Sequence, residues 1–249
     1  MHIFVASSGR CGTGFLASCF KNYTYISANH EERPIVAGKL LIEANRNGTA
    51  SKALSTKALE IKKNPFYIDT AHQFMRGFYK YALEEMPNLK VIKLVRNPIE
   101  VAVSKLNRKE IPGNSPWVRP PFDEDTLLRV TSEEWSSMSN LEKIFLDWFE
   151  HEHRFWVNKD LFDHVSYITF EELTKSPKVT VERVFNELGI KTRSFNNRPL
   201  YKNKNTKKTI YSQKEIDSFK EVEFSLREKY NIGWIDNDYY KEVLNYGKV

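Results

Sequence analysis

The segment Ser7-Ser8-Gly9-Arg10-Cys11-Gly12-Thr13-Gly14-Phe15-Leu16 follows a short apolar run, His2 to Ala6, and leads directly into a helix-like pattern. Such a segment is a cradle for a phosphate-like anion. Gly9, Gly12 and Gly14 let the backbone approach the ligand closely, and Thr13 adds a hydroxyl. The helix that follows offers unpaired N–H groups and the positive end of its dipole. Arg10 supplies a fixed charge. A nucleoside-triphosphate loop ends in Gly-Lys-Ser/Thr, whereas Phe15 and Leu16 follow Gly14 here, so the γ-phosphate of ATP is not the expected ligand.

Further apolar, β-rich runs occur at Tyr23 to Ser27, Phe66 to Asp69, Val91 to Val95 and Val165 to Thr169. Helix-period segments separate most of them. This alternation predicts an α/β fold, three layers deep, with a central parallel sheet of about five strands flanked by helices. Helices are expected over Ser51 to Lys63, Gln73 to Met86 (stopped by Pro87), Ile99 to Asn107 (with Pro98 in its first turn), Val179 to Leu188 and Ser212 to Tyr230. The longest candidate is Glu133 to Val157, with Trp135, Met138, Leu141, Phe145, Trp148, Phe149, Phe155 and Trp156 at three- and four-residue steps. A stripe of this kind packs a core. The proline- and charge-rich stretch 110–125 reads as an insertion or lid, and the basic run from Lys202 to Lys208 reads as a loop.

With 249 residues and 29.2 kDa, the chain can bury a full core and is taken as one domain, 1–249. A net charge of +6 suits an anionic ligand but is too small and dispersed to indicate nucleic acid. Cys11 and Cys19 bracket the loop and its helix, so they are expected as free thiols in a reducing compartment. Cys11 is read as a small residue in a serine-like slot rather than as a nucleophile, since no base lies nearby in sequence. Met1 leads almost directly into a strand, without a basic and then apolar leader, and no apolar run approaches the ~20 residues of a membrane span. A cytoplasmic protein without a membrane partner is the expectation.

A second anion signature runs from Arg96 to Ser104 (Arg-Asn-Pro-Ile-Glu-Val-Ala-Val-Ser). Arg96 closes the clearest strand and Ser104 lies two turns into the next helix, near the edge where open α/β sheets bind ligands. The plainer reading of Arg96 is a salt bridge to a neighbouring helix. Taken in order, the first loop, this segment and Tyr167-Ile168-Thr169-Phe170-Glu171-Glu172-Leu173 with Pro177 resemble the sulfotransferase family, whose donor is 3′-phosphoadenosine 5′-phosphosulfate (PAPS).

That resemblance implies a P-loop-like fold and specific roles. Arg10, Thr13 and the backbone of Cys11, Gly12, Gly14 and Phe15 would hold the 5′-phosphosulfate. Arg96 and Ser104 would bind the 3′-phosphate, and Lys202, Asn203 or Lys204 would come from a late basic loop over the nucleotide. The chain departs from the family pattern at Cys11, where Ser is usual, and at Gly14, where a second Ser or Thr is common. Each departure removes a hydroxyl from the cradle. The products would be 3′,5′-adenosine bisphosphate and a sulfated small molecule or glycan, formed without a metal.

The acceptor hydroxyl needs a general base, worth roughly a factor of 10² to 10⁴. His30-Glu31-Glu32-Arg33-Pro34 follows the second strand, where several relatives carry a catalytic Glu, and Glu31 is the favoured base. Glu32 and His30 are its rivals. His72, after the third strand, is a further candidate as base or as a group that positions the acceptor. Two other readings stand beside this one. A Rossmann NAD(P) oxidoreductase could use Gly9, Gly12 and Gly14 with Glu31 or Glu32 as the ribose acid, although the glycines read Gly-x-x-Gly-x-Gly and Arg96 to Ser104 would have no role. A nucleotide-binding relative that had lost turnover would keep the same fold.

Overall fold

The protein is described from a computed structural model covering residues 1–31, 33–37, 40, 42, 52–113, 121, 125–191, 195–196 and 210–244. Two compact units emerge from its contacts, Met1–Val95 with Val157–Asn203, and Arg96–Trp156 with Lys204–Val249.

The first unit holds a sheet of five parallel strands, β1 (His2–Ala6), β2 (Ser27–Asn29), β3 (Tyr67–Asp69), β4 (Lys90–Val95) and β5 (Val165–Thr169), in the order β2-β3-β1-β4-β5. Ile3 to Ala6 are fully buried, and so is nearly all of β4. A parallel strand covered on both faces needs such an unbroken apolar run rather than alternation. Helices α1 (Thr13–Phe20) and α8 (Pro177–Glu187) pack together through Phe20 and Phe185, whose rings lie 5.5 Å apart. Phe4 of β1 is covered instead by a π-helical turn, Phe74–Phe78, with the Phe4 and Phe74 rings stacked at 4.8 Å. That turn leads into α3 (Tyr79–Glu85), which packs on α2 (Lys52–Lys62). A short helix, α7 (Phe170–Lys175), follows β5 and is capped by the Thr169 side chain.

The second unit is helical among the described residues. It contains α4 (Pro98–Arg108), α5 (Ser132–Ser137), most of α6 (Asn140–Asn158), α9 (Gln213–Lys229) and α10 (Asp238–Leu244). Asn97 caps α4 by accepting from the Ile99 N–H at 2.9 Å. The aromatic stripe is core, as its spacing predicts: Phe145, Trp148, Phe149 and Phe155 are fully buried, and Trp148 meets Trp234 at 6.1 Å. Beneath it, Lys105 and Asp147 form a buried ion pair.

Two elements differ from expectation. The second strand is Ser27–Asn29, not Tyr23 to Ser27. Tyr23 is buried with its ring edge-on to Phe185 at 5.0 Å, and its backbone pairs outside the sheet, in an isolated antiparallel bridge with Phe195. The helix expected from Glu133 to Val157 is two helices, separated at Met138 and Ser139. Ser139 Oγ accepts from the Glu142 N–H at 3.2 Å while Glu142 accepts from the Ser139 N–H at 2.7 Å, a capping box that starts a new helix. Most of the segment read as a lid, 114–120 and 122–124, lies outside the described residues.

Candidate functional site

The loop after β1 winds through left-handed backbone at Gly9 (φ 83°), Arg10 (φ 58°) and Gly12 (φ 91°). Cys11 is fully buried and its thiol is used inside the loop, donating to the Gly9 carbonyl at 3.3 Å and lying 3.3 Å from Ser8 Oγ. Gly12 begins α1 without a side-chain cap, and the first helical bond runs from the Leu16 N–H to the Gly12 carbonyl at 2.9 Å. The N–H groups of Thr13, Gly14 and Phe15 therefore have no intrahelical acceptor. Phe170 lies over Gly12 so closely that a Cβ there would stand 2.4 Å from its ring.

Three side chains from the ends of β2 and β3 border this loop. The His72 ring faces Gly9, and a Cβ on Gly9 would lie 3.5 Å from it. The His30 ring faces Gly14 at 3.6 Å by the same measure. Between them sits Glu31, in left-handed backbone (φ 58°), with Oε1 3.5 Å from His72 Nδ1 and 3.8 Å from His30 Nε2. The contact with His72 is the main reason that the Glu31 carboxyl titrates below its ordinary value; the His30 charge and the Gln73 amide act in the same sense, and partial burial opposes them.

The scaffold that fixes these groups is polar and buried. Asn29 and Asp69 are register partners on β2 and β3, and the Thr70 N–H continues the ladder to the Asn29 carbonyl at 3.0 Å. Asp69 accepts from the Ala71 N–H at 2.9 Å and pairs with Lys57 of α2 at 3.2 Å, both side chains being almost fully buried. The turn that carries His72 is thus held at its base. His30 Nδ1 lies 3.1 Å from Thr70 Oγ1, which ties the two strand ends together.

The structure therefore brings Glu31, His72 and His30 together around Gly9 to Gly14. Arg96 and Ser104 belong to the second unit. Arg96 directly follows β4, and its Nε and Nη2 donate to Glu100 at 2.8 and 2.7 Å, the salt bridge of the plainer reading, although on its own helix. Ser104 is half-buried on α4. Lys202, Asn203, Lys204 and Glu32 lie outside the described residues. Sequence reasoning missed Lys57, Asp69 and Phe170 as supports of the site. Asp69 was signalled by its position at the end of a strand and Phe170 by its place in the third motif, and Lys57 by nothing.

The Gly9–Gly14 loop thus follows the central strand of an α/β sheet, with a carboxylate and two imidazoles at the neighbouring strand ends. Residues 1–235 match the family model of the sulfotransferase domain, and the chain belongs to that family. It is similar in fold to the mouse sulfotransferase SULT7A1 complexed with PAP, at 18% identity and a TM-score of 0.54, over 98% of this chain and 88% of that one. A sulfotransferase from Alicyclobacillus acidocaldarius is similar at 15% identity and a TM-score of 0.53, over 98% of this chain and 95% of that one. Among curated proteins, none matches the chain in sequence. The dehydrogenase reading does not stand beside this membership. Among the described residues, no helix is long and apolar enough to cross a membrane.

Proposed function

We propose that the protein transfers a sulfuryl group from PAPS to the hydroxyl of a small molecule or glycan, in line and without a metal. The observation that carries this reading is the Glu31–His72 contact at the rim of the Gly9–Gly14 loop, in a chain of the sulfotransferase family. PAP in the mouse neighbour agrees with the choice of donor.

The donor supplies a sulfuryl group that moves, like a phosphoryl group, through a loose transition state with charge spread over its oxygens. Arg10, the Thr13 hydroxyl and the N–H groups of Thr13, Gly14 and Phe15 stabilise that charge at the phosphosulfate end. Arg96 and Ser104 take the 3′-phosphate, following the family pattern, and Lys202, Asn203 or Lys204 close over the nucleotide.

Glu31 and His72 act on the acceptor as a pair. A carboxylate held below its ordinary value is a weak base, and the His72 ring in contact with it has a second nitrogen to offer the acceptor. Glu31 accepts a hydrogen bond from His72 Nδ1–H and stays ionised. His72 Nε2 takes the proton of the acceptor hydroxyl as its oxygen bonds to sulfur and the S–O bond to the donor phosphate breaks, releasing 3′,5′-adenosine bisphosphate. The base favoured from sequence becomes, in this reading, the residue that orients the base.

Thermal unfolding with saturating 3′,5′-adenosine bisphosphate, ATP or NAD tests the donor site. A ligand at one hundred times its Kd stabilises by about 2.7 kcal/mol. The bisphosphate alone is expected to raise Tm; a response to NAD instead overturns the reading.

A further inference from the structure

Gly14 is the second departure from the family pattern, and its backbone does not require glycine. It is the second residue of α1 and lies outside the left-handed region occupied by Gly9 and Gly12. Glycine within a helix is less favourable than alanine by up to about 1 kcal/mol. What Gly14 provides is an open flank beside the His30 ring. A Cβ on Gly14 would stand 3.6 Å from His30 Cδ2 and 3.7 Å from Nε2, in ordinary van der Waals contact, so position 14 faces the Nε2 edge of the ring.

The hydrogen bonds around His30 decide whether the nitrogen that faces this space carries a proton. Nδ1 lies 3.1 Å from Thr70 Oγ1, and that oxygen lies 3.3 Å from the Asn29 carbonyl. If Thr70 donates to Nδ1, a neutral ring carries its proton on Nε2. If Thr70 donates to Asn29, Nδ1 carries the proton and donates to Thr70, and Nε2 of a neutral ring is an acceptor. The first arrangement sets an N–H beside Gly14. His72 differs, since its Nδ1 is the atom turned to Glu31.

We infer that His30 Nε2–H replaces the side-chain donor missing at position 14 and hydrogen-bonds an oxygen at the phosphosulfate end of the donor. The inference rests on the sulfuryl-transfer reading and gives His30 a binding role separate from the Glu31–His72 pair. His30 and Gly14 are then a matched exchange, with an imidazole from the β2 end in place of a hydroxyl from α1.

The test compares two probes that differ only at the 5′ position, 3′,5′-adenosine bisphosphate and adenosine 3′-monophosphate, by calorimetry on the full chain. The wild type is expected to prefer the bisphosphate. His30→Ala should reduce that preference about tenfold or more, as loss of a charge-assisted hydrogen bond does, while leaving the monophosphate affinity unchanged. His30→Gln, which keeps an N–H at similar reach, should retain most of it. Gly14→Ser in the His30→Ala background should restore part of it. An unchanged preference in His30→Ala, or an equal loss for both probes, overturns the inference and leaves the sulfuryl-transfer reading standing. A wild type without any preference for the bisphosphate overturns both.

Discussion

In the proposed reading Glu31 and His72 act as one functional group, and substitution tests it. Glu31→Gln is expected to lower transfer about 10²-fold or more while leaving bisphosphate affinity nearly intact, with His72→Ala similar and the double variant no worse than the weaker single one. Full activity in Glu31→Gln would remove the carboxylate from the mechanism. Because the Glu31 carboxyl is depressed, its ionic contact is present above the ordinary carboxylate range and disappears only as pH falls through a lower value. The Tm difference between wild type and Glu31→Gln should therefore persist at mildly acidic pH and close below about pH 4.5. Gly12 has a different kind of constraint. Gly12→Ala places a Cβ 2.4 Å from the Phe170 ring in left-handed backbone, so a loss of about 2 kcal/mol or more is expected in urea unfolding, only partly recovered by adding Phe170→Ala. The loop glycines and Glu31 were legible because strand–turn–helix spacing and residue type mark them. The partnership of Glu31 with His72 was not, since strand alternation does not say which of His30, Glu31 and Glu32 turns toward the loop.

Among the elements, β5 was read to the residue over Val165–Thr169, where Val, Tyr, Ile and Thr favour a strand. Hydrophobic periodicity failed where burial and secondary structure part company. Met138 is buried, so the stripe runs through it, yet its backbone is extended (ψ 140°) and the helix stops there. The Ser139–Glu142 spacing was the signal that could have placed the break. Ser139 is exposed and packs nothing, so Ser139→Ala should remove the cap alone, at about 1 kcal/mol, measurable as a lower urea midpoint with an unchanged m-value. An effect near zero would mean that tertiary packing, rather than the capping box, sets the start of α6. In β2 the same confusion arose from Tyr23 and Ile26, both buried outside the strand.

For the whole molecule, stability and site share the buried Lys57–Asp69 pair. Lys57→Met strands the Asp69 carboxylate away from water and is expected to cost about 3–5 kcal/mol in global unfolding. Pairing it with Asp69→Asn should recover part of that loss but leave the Ala71 N–H less firmly held, so transfer should stay impaired after stability returns. Sheet order belongs to the same scale. β1 lies between β3 and β4, both of which come later in the chain. The Gly9–Gly14 loop directly follows β1, yet during synthesis β1 has no strand beside it until Tyr67–Asp69 has emerged from the ribosome, and only one until Lys90–Val95 follows. A nascent chain carries this loop long before it owns the framework that gives the loop a shape, so the proposed nucleotide site is completed late in the life of a new molecule.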